Sequence, residues 1–162
     1  MTPLAPVTDF VDLDGTTYLY TAAECPLLAR SADAIRAYVH HKSRAEAGRA
    51  HHTEITAACK ASVARLLNVA PEDLALISSA SEGINAVCGL IDFRRGDNVV
   101  VNDLEFPSVT LPWLRLRDRG VDVRVVRHRH WRLTPDMLLS AVDGQTRLVA
   151  LSHVSYVNAL CH

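Results

Sequence analysis

The sequence predicts an α/β fold, in which helices pack on the faces of a mostly parallel sheet. Two observations carry this prediction. From about residue 74 onward, short apolar runs alternate with segments of helical spacing, which is typical of parallel strands connected by helices. The run Asn98–Asn102 is continuous and β-branched, as an interior parallel strand should be. With 162 residues, the chain is long enough to bury the core of one domain.

The first part of the chain is interpreted as an irregular lead-in followed by two helices. Apolar residues with helical spacing extend over Ser31–Ala47, and Gly48 is expected to break this helix. A second helix is predicted after Thr53, because threonine is a good N-cap and apolar residues then recur at three- and four-residue steps. We therefore divide the chain into residues 1–52, an N-terminal segment and helix, and residues 53–162, which hold the sheet.

The remaining elements follow one another as strand and helix in turn. Gly120 is expected to end the fourth helix, and Thr134 followed by Pro135 to start the fifth, since threonine caps and proline fits a first turn. The predicted elements are strand Leu74–Ser78, helix Ser81–Leu90, strand Asn98–Asn102, helix Ser108–Arg119, strand Asp122–Arg129, a helix from Thr134 and strand Arg147–Ser155.

Composition argues against several classes of function. Lys plus Arg number 17 against 18 Asp plus Glu, so no basic field exists to gather nucleic acid or an anionic membrane. No apolar run approaches the roughly 18 residues that span a bilayer. The only two lysines, Lys42 and Lys60, are interpreted as solvated helix charges. We expect a reducing cytoplasm, because the cysteines are scattered without a CxxC pair, at Cys25, Cys59, Cys88 and Cys161.

Paired histidines give weak grounds for a metal site. His40 and His41 are adjacent in the sequence, as are His51 and His52. Adjacent residues on a helix point in different directions and do not converge on one ion. No metal ligand is therefore predicted.

The segments that follow the predicted strands are the candidates for chemistry, because ligands of open parallel sheets lie beyond the carboxyl ends of the strands. In Ser78–Asn85, small hydroxylated residues precede a helix, whose free N–H groups suit an anion; a plain serine N-cap is equally consistent. The segment matches neither GxGxxG nor GxxxxGK[ST], which weakens the hypothesis that it binds a dinucleotide or a nucleoside triphosphate. The other two candidates are Asp103–Ser108 and Ser152–Asn158.

Phe106 is the most distinctive residue of the second segment. Pro107 cannot continue a strand, so the Phe106 ring is held at the rim of the sheet, where a flat heterocycle could stack on it. A simple core position is the more common role of such a phenylalanine. In the third segment, His153 is interpreted as structural.

Taken together, the three segments resemble the class V aminotransferase and cysteine desulfurase family of fold-type I pyridoxal-phosphate enzymes. The resemblance runs from Tyr18 to about Asn158. Tyr18–Ala23 is similar to the family's opening Tyr-Leu-Asp/Asn-x-Ala segment, and Asp103–Ser108 and Ser152–Ser155 match especially well. The resemblance implies that the chain carries an incomplete large domain of that fold. It also implies pyridoxal 5′-phosphate (PLP) as cofactor, an amino-acid substrate and a homodimer.

The same resemblance implies roles for four residues. Ala80 and Ser81 would hold the cofactor phosphate through backbone N–H groups and the Ser81 hydroxyl. Phe106 would stack on the pyridine ring, and Asn158, or less favourably Tyr156, would lie near the ring's 3-oxygen. No catalytic residue is assigned within the chain.

Two departures from the family pattern qualify these roles. Desulfurases usually place a proton-transferring histidine where Phe106 stands, so an epimerase-, kynureninase- or transaminase-like relative is favoured. The aspartate that pairs with the pyridinium nitrogen and the Schiff-base lysine both follow the last predicted strand in the family. We therefore expect weak or no PLP binding and no turnover by these residues alone, with self-association through uncovered strand edges. The alternative is a non-catalytic α/β remnant or association module.

Overall fold

The computed structural model of the protein describes residues 5–21 and 23–161. Ala22, in the opening segment of the resemblance, lies outside the described residues. The chain divides after Leu76 into two compact units. All three candidate ligand-binding segments belong to the second unit.

The first unit is built on two consecutive helices, α1 (Ala29–Lys42) and α2 (Ala45–Leu67), which pack against each other. Short 3-10 turns flank the pair at Val7–Asp9 and Pro71–Asp73. α2 ends at Leu67 and is capped by Asn68, which adopts the left-handed conformation with φ 55° and donates its N–H to the Ala64 carbonyl. No helix in the two described ranges is long and apolar enough to cross a membrane.

The boundary between the two helices differs from the prediction. The sequence predicts a break at Gly48 and a new N-cap at Thr53, but both residues lie inside α2. The Thr53 hydroxyl instead donates to the Arg49 carbonyl of its own helix, 3.1 Å away. Glycine at position 48 is explained by packing, because an added Cβ would lie 1.9 Å from the carbonyl oxygen of His41 in α1. The predicted division between residues 52 and 53 falls within this helix and stays a prediction about domains.

The second unit is built around a three-stranded parallel sheet, which confirms the predicted α/β fold. Its strands β1 (Asn98–Asn102), β2 (Asp122–Val126) and β3 (Thr146–Val149) lie in the order β2-β1-β3. β1 is central and all five of its residues are buried, as its β-branched run predicts. The β1–β2 pairing is regular along its length, whereas the β1–β3 pairing shifts register after Asn98.

Both faces of the sheet are covered. Because successive side chains of a strand point to opposite faces, Val99 and Val101 enter one cluster and Val100 enters the other. The first cluster consists of Phe93, Val99, Val101, Trp113, Leu116, Val121 and Val123. The second consists of Val100, Leu104, Leu133 and Leu138.

Three helices cover the sheet, α3 (Ala80–Leu90), α4 (Pro107–Leu114) and α5 (Pro135–Leu139). The predicted helix ending at Gly120 is present, but its last turn tightens into a 3-10 segment before Gly120 ends it with φ 80°. Thr134 caps α5 as predicted, because its hydroxyl oxygen accepts a hydrogen bond from the Met137 N–H.

Three predicted strands are shorter or absent. Leu74–Ser78 is not a strand, because no strand among the described residues pairs with it. β2 ends at Val126 rather than Arg129, because the chain turns back through an isolated bridge between Arg129 and Arg132. β3 ends at Val149 rather than Ser155, and the Ser152 N–H beyond it donates to the Glu105 side chain, in the segment after β1.

Candidate functional site

The first candidate segment forms a capped helix start. The Ser79 hydroxyl oxygen accepts from the Glu82 N–H at 3.2 Å. The Glu82 carboxylate accepts from the hydroxyl and the N–H of Ser78, both at 2.7 Å, and these bonds, the hydroxyl first, lower the pKa of Glu82. The carboxylate is thus held on the Ser78 side of the helix end.

The cap leaves two backbone donors available at the start of α3. Within the described residues, the N–H groups of Ala80 and Ser81 make no hydrogen bond, whereas those of Glu82 and Gly83 bond to Ser79. Free N–H groups at a helix N-terminus carry partial positive charge and attract anions. They belong to the two residues that the resemblance places at a phosphate.

Ser81 and Phe106 line one cleft of about 330 Å³. Phe106 is 52% exposed, and its ring meets the ring of Tyr156 edge to face at a centroid distance of 5.1 Å. A half-exposed aromatic ring at the mouth of a cleft is available for stacking by a flat heterocycle. The full lining is Ser81, Asn85, Phe106, Pro107, Ser108, Leu111, Pro112 and Arg115.

Asn85 lies in the first candidate segment but was assigned no role, and Arg115 was not predicted from the sequence. The Asn85 side-chain amide donates to the Ser81 carbonyl at 2.8 Å, which ties it to the first turn of α3. Arg115 follows α4 and brings a positive charge to a cleft whose lining includes no carboxylate. No local signal marks Arg115, because its approach to Ser81 depends on how α3 packs against α4.

Asn158 lies away from this cleft. Its side-chain amide donates to the Trp131 carbonyl at 2.6 Å, and it is not among the lining residues. Of the same segment, Tyr156 is the residue that contacts Phe106. The structure therefore brings together Ser81 and Phe106 but not Asn158, whose role at the ring's 3-oxygen stays a prediction.

A buried carboxylate supports the segment that carries Phe106. Glu105 is 7% exposed, and its Oε1 accepts from the Asn102 side-chain amide at 2.8 Å and from the Ser152 N–H at 2.7 Å. Its Oε2 accepts from the Ser152 hydroxyl. This network joins the end of β1 to the segment after β3. Glu105 and Ser152 both lie in candidate segments predicted from the sequence, but the sequence did not indicate that they bond to each other.

Asp103 forms a second link at the same end of the sheet. Its Oδ1 accepts from the His128 N–H at 2.8 Å, and its Oδ2 lies 3.2 Å from His128 Nδ1 and 3.6 Å from the Arg127 guanidinium. Burial acts to raise the pKa of Asp103, but these His128 contacts outweigh it and the pKa is lowered. Asp103 is therefore an anionic anchor for the segment after β2.

The two histidine pairs come together across α1 and α2, and the adjacent rings also lie close, with centroids 5.4 Å apart for His40 and His41 and 6.2 Å apart for His51 and His52. The rings of His41 and His51 lie 3.8 Å apart between centroids, and His52 stacks on Tyr38 at 4.5 Å. Among residues 5–21 and 23–161, no group of three or more His, Cys, Asp or Glu side chains is arranged to hold a metal ion.

Comparison with known proteins adds to this geometry. A family model described as Aminotransferase class-V matches residues 17–160. The probable cysteine desulfurase of Methanothermobacter thermautotrophicus is 46% identical over 99 residues, which cover 60% of this chain and 24% of that protein. The chain thus spans about a quarter of the length of this curated relative.

Two solved structures of C-DES share the fold. A C-DES variant with glycine covalently linked to its PLP cofactor aligns with a TM-score of 0.85 at 22% identity, covering 95% of this chain and 42% of that one. The complex of the cystine C–S lyase C-DES with its product cysteine persulfide aligns with a TM-score of 0.77 at 21% identity, covering 85% and 38%.

Proposed function

The chain belongs to the class V aminotransferase family, and from this premise we propose that its second unit holds the phosphate and ring of PLP in a protein that acts on a sulfur-containing amino acid. PLP is the cofactor of this family. The observation that carries the proposal is that Ser81, which has a hydroxyl and an N–H unpaired among the described residues, and the half-exposed ring of Phe106 line one cleft.

The cleft fits the phosphate group. The N–H groups of Ala80 and Ser81 are unpaired within the described residues, and Ser81 and Arg115 line the same cleft. Charge-assisted hydrogen bonds to an oxyanion are stronger than bonds between neutral groups. The negative charge at this helix end, which would repel a phosphate, is that of Glu82. Its carboxylate is bonded to Ser78.

Phe106 supports the ring in this proposal. A phenyl ring cannot exchange protons, so Phe106 orients the heterocycle and excludes water from one face. Glu105 positions it by fixing the preceding backbone through Asn102 and Ser152. Tyr156, which contacts Phe106, is better placed to approach the cofactor than Asn158, which is bonded to the Trp131 carbonyl. When bound, PLP supplies the electron sink for bond cleavage at the substrate.

A sulfur-containing amino acid is the substrate class that the relatives favour. The Methanothermobacter protein is named a probable cysteine desulfurase, and C-DES is named a cystine C–S lyase. We propose cleavage of a carbon–sulfur bond, with proton transfer performed by a residue other than Phe106. The epimerase-, kynureninase- and transaminase-like alternatives have no support from these names.

The lysine that anchors the cofactor is proposed to belong to a part of the protein outside these 162 residues. The sequence contains only Lys42 and Lys60, which lie in α1 and α2 of the first unit. We propose that neither anchors PLP, so that these residues alone bind it weakly and turn over no amino acid. For the whole protein we propose a cytoplasmic homodimer.

Equilibrium dialysis of the 162-residue chain against PLP tests the cofactor site. Ser81→Ala and Arg115→Gln are each expected to weaken binding about tenfold or more, because each removes a hydrogen bond to a charged group, worth roughly 1.5–3 kcal/mol. Ser140→Ala is the matched control, since the Ser140 hydroxyl bonds to Met137 outside the cleft.

Each outcome of the dialysis decides part of the proposal. If Ser81→Ala and Arg115→Gln retain wild-type affinity, PLP does not bind in this cleft. If wild type binds no PLP at millimolar concentration, the proposal that these residues alone hold the cofactor weakly is wrong. Borohydride trapping of the cofactor on Lys42 or Lys60 would contradict the assignment of the anchoring lysine.

A further inference from the structure

We propose that a cationic groove in the first unit binds an extended oligoanion of the polyphosphate type. The groove lies between α1 and α2 and has a volume of about 760 Å³. It is separate from the cofactor cleft, whose lining residues all belong to the second unit. The charged and titratable residues that line it are His41, Lys42, Glu46, Arg49, His52 and Lys60.

Three permanent cations of this groove have no counter-charge. Within the described residues, no carboxylate oxygen lies within 4.0 Å of the charged groups of Lys42, Arg49 or Lys60. Glu46, the acidic lining residue, pairs with none of them. Lys60 is also half-buried, and removing an ammonium group from water costs free energy unless an anion accompanies it. A bound anion would supply that compensation.

Two imidazoles, those of His41 and His52, also belong to the groove lining. His52 is half-buried, and its Nε2 is buried without a hydrogen-bond partner among the described residues. Buried polar atoms nearly always have a partner, so this ring nitrogen leaves a hydrogen-bonding requirement unmet in a residue of the groove lining. The pKa of His41 is lowered, first by partial burial and then by the neighbouring His51, His40, Arg44 and His52.

The spacing of the cations indicates an extended ligand. Arg49 and Lys60 are eleven residues apart on α2, which is close to three helical turns, so they share one face. Their backbones are separated by roughly 16 Å along the axis at 1.5 Å per residue. Lys42, at the end of α1, lies with its ammonium 5.8 Å from the centre of the Tyr38 ring. Several linked anionic groups would engage these cations better than a single phosphate.

Isothermal titration calorimetry of the 162-residue chain with inorganic tripolyphosphate at low salt tests this site. Saturable binding is expected, weakening as salt is added, because screening acts on charges at a partly exposed groove. Lys60→Gln and Arg49→Gln are each expected to raise the Kd about tenfold or more. Lys60→Arg retains the charge and is expected to change the Kd by less than Lys60→Gln. Circular dichroism of each variant checks that the helices persist.

Two controls separate this site from other positive charges. Arg65→Gln removes a cation from the same helix, but Arg65 lies outside the groove and bonds to Ser62, so the Kd is expected to be unchanged. Ser81→Ala is also expected to leave tripolyphosphate binding unchanged, which distinguishes the groove from the cofactor cleft.

Three results would overturn the proposal. The first is a heat no larger than that of sodium chloride at matched ionic strength. The second is a loss in Arg65→Gln as large as the loss in Lys60→Gln. The third is monophosphate binding as tight as tripolyphosphate binding, since the extended ligand would then be unnecessary. If Lys60→Gln loses helix content, Arg49→Gln and Lys60→Arg decide the same questions.

Discussion

Glu105 and Ser152, 47 residues apart in the chain, are joined through both oxygens of one buried carboxylate. The Ser152 N–H donates to Oε1 at 2.7 Å, and its hydroxyl donates to Oε2. The Asn102 side-chain amide donates to Oε1 as well, at 2.8 Å. Because Glu105 directly precedes Phe106, the rim of the candidate cofactor cleft depends on this link between the ends of β1 and β3.

Replacing this carboxylate is expected to destabilise the second unit. In Glu105→Gln, an amide NH₂ group takes the place of one acceptor oxygen and faces a donor of Ser152 or Asn102. Hydrogen bonds to a charged group contribute roughly 1.5–3 kcal/mol, so we expect the free energy of unfolding to fall by about that amount in urea denaturation. Glu72→Gln, at an exposed position in a 3-10 turn, is the control and is expected to change stability little. Equal stability of Glu105→Gln and wild type would show that the network is unimportant.

Gly48→Ala is expected to destabilise the packing of α1 against α2. The added methyl group would lie 1.9 Å from the His41 carbonyl oxygen, so the helices must separate. Overpacking of this kind costs roughly 1–3 kcal/mol. Gly89→Ala is the matched control, because nothing lies within 4 Å of its added Cβ and alanine favours a helix by up to about 1 kcal/mol. Thermal unfolding followed by circular dichroism compares the two, and a Gly48→Ala protein at least as stable as Gly89→Ala would contradict the contact.

Acid is expected to weaken a network at the opposite end of the sheet. The pKa of Asp143 is lowered from 3.8 to about 2, mainly by hydrogen bonding to the Arg124 guanidinium and then to the Asn98 amide. A carboxyl group whose pKa is lower in the folded than in the unfolded state stabilises the folded state. This stabilisation is complete above the unfolded-state pKa and is lost as the pH falls through the folded-state pKa. The free energy of unfolding is therefore expected to decline from about pH 4 toward pH 2.

Variants isolate that contribution. Asp143→Asn removes the titrating group, and Arg124→Gln removes the cation that lowers its pKa. Each is expected to show a smaller decline than wild type in urea denaturation between those two pH values. Wild-type slopes in both variants would exclude Asp143 as a source of the acid sensitivity.

The elements that depend on local sequence pattern were predicted correctly. The valines of β1 are continuous, and a strand buried on both faces needs that pattern, so both the strand and the parallel sheet were predicted correctly. Gly48 was wrongly interpreted as a helix breaker. Position 48 needs a glycine because the His41 carbonyl oxygen of another helix leaves no room for a side chain, and the local sequence does not show this contact. Leu74–Ser78 has the composition of a strand, but a strand needs a neighbour, and none pairs with it in the described parts of the chain.

The candidate site was predicted only in part, because some of its residues come together through contacts between elements. Phe106 follows β1 as predicted, but the strand predicted before Ser81 is absent, so the two residues line one cleft because α3 packs against α4. Arg115 enters the cleft only through the packing of α3 against α4, and Lys42 and Lys60 line one groove only because α1 packs on α2. Side chains that converge through helix packing cannot be identified from spacing along the chain.

The most direct test of the cofactor cleft is an amide NMR titration of the ¹⁵N-labelled 162-residue chain with PLP, which detects weak binding residue by residue. We expect progressive shifts of the Ala80 and Ser81 amides, with changes at Phe106, because these groups would contact the phosphate and the ring. Shifts confined to the α1–α2 groove, with the start of α3 unmoved at saturating PLP, would contradict the cofactor assignment.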